Sequence, residues 1–283
     1  MKTITSVAIA ALILGLAACG QGPAAKTAAA AAAPAAGGAL TLIDKPNLSA
    51  DVQALPRLQG DGPAIVRINA ELDRLDTAAK ADAAECATMG AEADAGGGWS
   101  RTITRPMTGP SYLTLREHLE IYCGGAYPST SQTPITWDLS TGEHVNWVVL
   151  LPGLGLVQDQ PEAGMPVNYT YSIRSPRLEA LYERKMIADA EDAEWRDQCK
   201  DVWKPQPDAE LGQGFRVWAD AEHGGVAIDA DYPHVVQACG GTVYLTADEM
   251  RAAGAPASLI DALAAAQTAG NWAPKEDAEA AAE

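Results

Sequence analysis

The chain has 283 residues, 47% of them hydrophobic, and a formal net charge of −17. That acidity argues against nucleic acid, which requires a basic footprint, and against anionic lipid headgroups; it would favour a basic partner, although keeping the protein soluble is its simplest use. The length suits one domain or two small ones, and alanine in the tails inflates the apolar fraction.

In chain order, Lys2 comes first, then an apolar run over residues 7–16 that is too short to span a bilayer, then Leu16-Ala17-Ala18-Cys19. Charge, apolar core, small residues and cysteine in that order match a bacterial lipobox. They predict a lipoprotein signal peptide over residues 1–18, cut before Cys19, with lipid on the Cys19 thiol as the link to a membrane. Gly20 after the cysteine is what an outer-membrane lipoprotein facing the periplasm would carry. No second long apolar stretch follows, so no further membrane crossing is expected. Residues 19–38 are almost wholly Ala, Gly and Pro after the cysteine and read as a disordered tether, roughly 60 Å long when extended.

Residues 39–268 carry the folded part. A short strand is predicted over 39–43, ended by Pro46 and Asn47. Gly62-Pro63 opens a helix with Ile65, Ile68, Leu72 and Leu75 on one face and Asn69 beside it, running to about Cys86. Strands follow at 99–107, 112–123, 133–139 and 145–151, with tight turns that suggest an antiparallel meander. In the second of these, Glu117 shares the face of Leu113, Leu115, Leu119 and Ile121. Residues 157–168 read as loop and 176–199 as one long helix. Three more strands are expected at 212–219, 225–229 and 234–245. Thr246 can cap a short helix with Glu249 at the capping-box position, and a last helix covers about 257–266. Residues 269–283 form an acidic, alanine-rich tail. The fold class expected is α+β: an antiparallel sheet with helices packed on one side and two disulfides.

Lipid on Cys19 leaves Cys86, Cys123, Cys199 and Cys239. An even count in an oxidising compartment makes two disulfides the default, with three connectivities open. The sequential pairing, Cys86–Cys123 and Cys199–Cys239, is preferred; each would close a loop of about 40 residues, worth about 4 kcal/mol in the chain-entropy model. Zinc is disfavoured, since there is no CxxC and no histidine at ligand spacing from a cysteine. An echo links the halves: each has a helix ending near a cysteine, then a later Cys-Gly-Gly, at Cys123-Gly124-Gly125 and Cys239-Gly240-Gly241.

Catalytic motifs are missing: no G-x-S-x-G, HExxH or P-loop occurs, and no cofactor or metal is expected. His118, His144, His223 and His234 are scattered and read as surface or packing residues. Ser129, Thr130 and Ser131 read as turn polar groups. Trp137, Trp147 and Trp218 fall in strand candidates and read as core. Trp99, Trp195, Trp203 and Trp272 flank breaks; they either cover a thin core or, if exposed, stack on sugar rings or anchor a protein.

One stretch resembles a known family. Tyr112-Leu113-Thr114-Leu115, then Tyr122-Cys123-Gly124-Gly125-Ala126-Tyr127-Pro128, then Trp137-Asp138-Leu139-Ser140-Thr141-Gly142 is similar to a bacterial envelope domain of unknown function. That domain forms the outer part of RsiV-type, lysozyme-binding anti-sigma factors and accompanies some peptidoglycan polysaccharide deacetylases. Leu55-Pro56-Arg57-Leu58, Ile68-Asn69 and the later runs at 214–218 and 225–228 resemble its flanking segments. Tyr127 departs from the histidine usual in the Gly-Gly-Ala-His-Pro pattern, which puts any role of that histidine in doubt. The resemblance implies a non-catalytic binding or sensing module, with lysozyme or peptidoglycan as ligand. The motif's own residues are turn formers that can be wholly structural. Two other functions stay open: a cell-wall hydrolase with an unrecognised site, and a structural envelope lipoprotein.

Overall fold

The computed structural model describes residues 40–94, 96–160, 171–205 and 212–272. The signal peptide, Cys19, the tether, most of the 157–168 loop and the tail beyond Trp272 lie outside the described residues.

Two short strands, β1 (Leu42–Ile43) and β2 (Arg57–Leu58), pair antiparallel and lead into α1 (Pro63–Glu92). Pro63 sits in the first turn of α1, where its missing N–H costs nothing. The helix continues past Cys86, and Ile68, Leu72, Leu75 and Ala79 form its buried stripe. The meander follows as β3 (Gly98–Thr108), β4 (Tyr112–Tyr122), β5 (Ser129–Asp138) and β6 (Glu143–His144), in that spatial order. β5 starts earlier than predicted because Ser129 to Gln132 are polar and exposed; they pair with Ile121 to His118 of β4 and give no hydrophobic signal.

The apolar run at 145–151 is not a strand. It contains α2 (Trp147–Leu150), capped by Asn146, whose side chain accepts from Val149 N. Trp147 and Leu151 are buried while Val149 is exposed, a spacing of four rather than two. The fourth strand is β6 just before it. After the short β7 (Val157–Gln158) and β8 (Ile173–Arg174), the long helix expected at 176–199 is two helices, α3 (Pro176–Asp189) and α4 (Ala193–Cys199). Ala190 turns extended, and Asp192 starts α4 by accepting from Glu194 N and Trp195 N.

β9 (Phe215–Asp220) and β10 (Gly225–Ala230) form the second hairpin. The strand expected at 234–245 is instead a 3-10 turn (His234–Cys239) followed by β11 (Thr242–Leu245), with Gly240-Gly241 between them. α5 (Ala247–Ala252) carries the expected capping box of Thr246 and Glu249. α6 (Ala257–Ala269) ends at Gly270, a left-handed cap, and Asn271 is buried with its carbonyl accepting from Thr108 N at 2.9 Å; residues 269–272 therefore belong to the folded part, not the tail.

The α+β class, the antiparallel sheets and both disulfides are as expected, but the strands form two main sheets rather than one. The second has the order β11-β10-β9-β8-β7. α1 covers the first sheet over Leu72, Leu113, Leu115, Ile135 and Trp137. α3, α5 and α6 cover the second over Val217, Val226, Ile228, Val243 and Leu245. Between the sheets the Arg116 guanidinium lies 5.6 Å from the ring centre of buried Trp218. Cys86 and Cys123 are bonded, as are Cys199 and Cys239. Both bonds join a helix to the Cys-Gly-Gly segment between the second and third strands of a meander, so the sequence echo corresponds to one element order used twice. Disulfides of this kind belong to an oxidising, extracytoplasmic compartment. Among the described residues no helix is long and apolar enough to cross a membrane.

Candidate functional site

The largest buried polar group is a fastener. Arg101 is fully buried and donates to Asp76, to Glu117 at 2.9 Å and to the Gln53 carbonyl at 2.8 Å. Asp76 also accepts from Leu55 N at 3.0 Å and from Arg57 at 2.8 Å. Burial raises the pKa of Glu117, and Arg101 pulls the other way. The cluster ties the segment before β2 to α1, β3 and β4. Asn69 does the same for Leu58, bonding its N–H and its C=O at 2.9 Å each.

Two histidine–carboxylate pairs are also structural in setting. His144 Nε2 lies 2.8 Å from Glu71, whose other oxygen accepts from Trp137 Nε1 at 2.8 Å. Burial opposes the charge on Glu71, but the bonds from His144 and Trp137 prevail and lower its pKa. In the β9–β10 turn, Asp220 accepts from His223 N at 3.0 Å and lies 2.9 Å from His223 Nδ1, while Tyr244 stacks on the imidazole at 3.6 Å. Such a pair could orient a base. Among the described residues, however, no histidine is hydrogen-bonded to a serine, threonine or cysteine, and no group of three His, Cys, Asp or Glu could hold a metal.

The residues of the family-like motif fall at opposite ends of β5, a strand about 30 Å long. At its C-terminal end, Asp138 accepts from Ser140 N at 2.7 Å and Thr141 Oγ1 accepts from Glu143 N at 3.2 Å. Gly142 has φ +72°, and a Cβ there would lie 2.6 Å from the Ala64 carbonyl of α1. Asp138, Thr141 and Gly142 thus build a turn that seats the first sheet on α1.

At the other end, Cys123, Gly124, Gly125, Ala126, Tyr127 and Pro128 form the β4–β5 loop. Gly124 has φ +89° and packs on the end of α1, where a Cβ would meet Ala93 Cβ at 2.7 Å. This loop meets the 3-10 turn. The Tyr127 and His234 rings stack with centroids 6.0 Å apart and an interplanar angle of 29°. Thr130 Oγ1 donates to Gln237 Oε1 at 3.0 Å, and Gln237 Nε2 donates to the Thr130 carbonyl at 2.9 Å. The turn is braced from its other side: Trp195 Nε1 donates to the Ala238 carbonyl at 3.1 Å, Trp203 Nε1 to the Cys239 carbonyl at 2.7 Å, and Tyr182 to the Gly241 carbonyl at 2.8 Å.

What these two braced loops present is apolar. Tyr127 is 75% exposed and Val235 is 86% exposed, the highest values among the large hydrophobic side chains described. Exposed aromatic and aliphatic groups on loops anchored by disulfides have little ordering entropy left to lose on contact with another molecule. The sequence pointed to Tyr127 but not to its partners. His234, Val235 and Gln237 look like strand residues, and only the glycine pair after Cys239 hints at a break. No protein-family model matches the chain, and no curated protein matches it.

Proposed function

We propose that this protein is a non-catalytic binding or sensing module of the cell envelope, held on the periplasmic side of the outer membrane by lipid on Cys19. Its contact surface is formed by Tyr127, His234 and Val235. The observation that carries this reading is the exposure of Tyr127 and Val235 on two loops that disulfides and indole N–H bonds hold in place. The ligand is a basic protein. A net charge of −17 favours such a partner electrostatically, and the resemblance to the outer domain of the anti-sigma factors makes lysozyme the first candidate.

The test is a titration of the purified protein with lysozyme at rising salt. A saturable complex that weakens with salt, without release of product from purified cell wall, is the expected result. Solubilised cell-wall fragments without lysozyme present would favour a hydrolase instead.

A further inference from the structure

A second surface lies away from the two loops. The turn at Leu48 to Val52, closed by Leu48 N bonding to the Val52 carbonyl at 2.8 Å, faces α1 and the start of β3 across a groove of about 370 Å3. Its floor is small: Ala83, Ala84 and Ala87 on α1, with Gly97 and Gly98. Half-buried Trp99 lines it too, as do Leu48 and Val52. Ser49, Asp51 and Lys80 supply its polar groups. Neither the Asp51 carboxylate nor the Lys80 ammonium has an ion-pair partner among the described residues.

We infer that this groove is a saccharide site, in which a pyranose ring lies against Trp99 and its hydroxyls bond to Asp51, Ser49 and Lys80. The chemistry is specific in three respects. A flat indole beside a methyl-lined floor suits the C–H face of a sugar ring, which is apolar, while the ring's edge is polar. A carboxylate accepts from hydroxyls and an ammonium donates to them, so one unpaired charge of each sign serves a neutral polyol without leaving net charge in the groove. An alkyl chain would meet the apolar part of the lining, to which Leu48 and Val52 also belong, but would leave the exposed Asp51 and Lys80 groups without a partner. The volume falls within the range of about 300–1,000 Å3 common to small-molecule sites and suits a short oligosaccharide. The site shares no residue with the Tyr127 surface and stands whether or not that surface binds lysozyme.

The test titrates the purified protein with triacetylchitotriose and with maltotriose, read by saturation-transfer NMR and calorimetry, with decanoate as the apolar comparison. Saturable binding of at least one saccharide is expected, weakened at least tenfold in Trp99→Ala and in Ala84→Trp, which fills the groove. Tyr127→Ala should bind as the parent does, and thermal melts confirm that each variant is folded. The inference is overturned if neither saccharide saturates, if a folded groove variant binds as tightly as the parent, if Tyr127→Ala abolishes binding, or if decanoate alone occupies the groove.

Discussion

Gln237 meets Thr130 across 107 residues of chain, accepting a hydrogen bond from its hydroxyl and donating one to its carbonyl. This reciprocal pair joins the start of β5, next to the β4–β5 loop, to the 3-10 turn before β11. It sets Tyr127 against His234 and leaves Val235 facing solvent.

Gln237→Ala should therefore matter more locally than globally. Two exposed bonds contribute about 1–2 kcal/mol together at most. Urea unfolding should shift by no more than that, while amide exchange over residues 126–130 quickens. Unchanged exchange in that loop would mean that the pair does not order it.

Arg101→Ala should be far more costly. It leaves Glu117 buried without its cation and Asp76 with Arg57 alone, and removing one member of a buried ionic group costs about 3–5 kcal/mol. Chemical denaturation measures this directly; a loss below 1 kcal/mol would contradict the role given to the cluster. Arg57→Ala, which removes a partly exposed partner of Asp76, should cost less.

Asp229 should make stability depend on pH. Burial lifts its pKa from 3.8 to about 6, against the pull of Arg116; Asp231 adds to the rise, and Arg216 works with Arg116. The same carboxylate, after burial, helps to raise the phenols of Tyr182 and Tyr232. A carboxyl whose pKa is higher folded than unfolded favours the fold fully below the unfolded value. That contribution is lost as pH rises through the folded value, here between about pH 4 and pH 6. Asp229→Asn cannot lose it, so its stability relative to the parent should increase across that window, by an order of magnitude of 3 kcal/mol. A difference that stays flat from pH 4 to pH 7 would refute the assignment.

The two disulfides should separate in their effects. Each closes a loop of similar length, with sequence separations of 37 and 40, so loss of either should destabilise by about 2–4 kcal/mol. Replacing Cys199 and Cys239 with serine should also loosen the 3-10 turn and with it the Tyr127–His234 stack. Hydrogen exchange over residues 234–239 reads that difference, and equal protection there in both double-serine variants would contradict it.

Local rules accounted for much of the fold. Pro63 and the Ile68-Leu72-Leu75 spacing located α1, Thr246 with Glu249 located α5, and the alternation in β4 placed Leu113 and Leu115 toward the helix. The failures have physical reasons. Val145 to Leu151 is apolar apart from Asn146, so period alone could not separate a strand from the short helix that Asn146 caps. Asp192 is a cap inside what reads as one charged helix. The candidate site was half legible: Tyr127 lies within a motif, whereas His234, Val235 and Gln237 reach it only through tertiary contacts that no local pattern encodes. Arg101 reads as an ordinary strand residue because its partners come from distant parts of the chain, Asp76 from α1, Gln53 from the segment before β2 and Glu117 from β4.

The role of the two exposed side chains is read from the lysozyme affinity of the double variant Tyr127→Ala/Val235→Ala, compared with the parent by calorimetry at fixed salt and with its thermal melt unchanged. Two exposed anchors of this kind together contribute about 2 kcal/mol or more. The parent should bind, and the variant should bind at least thirtyfold more weakly. A parent that does not bind lysozyme, or a folded variant that binds as tightly as the parent, would contradict the proposed function.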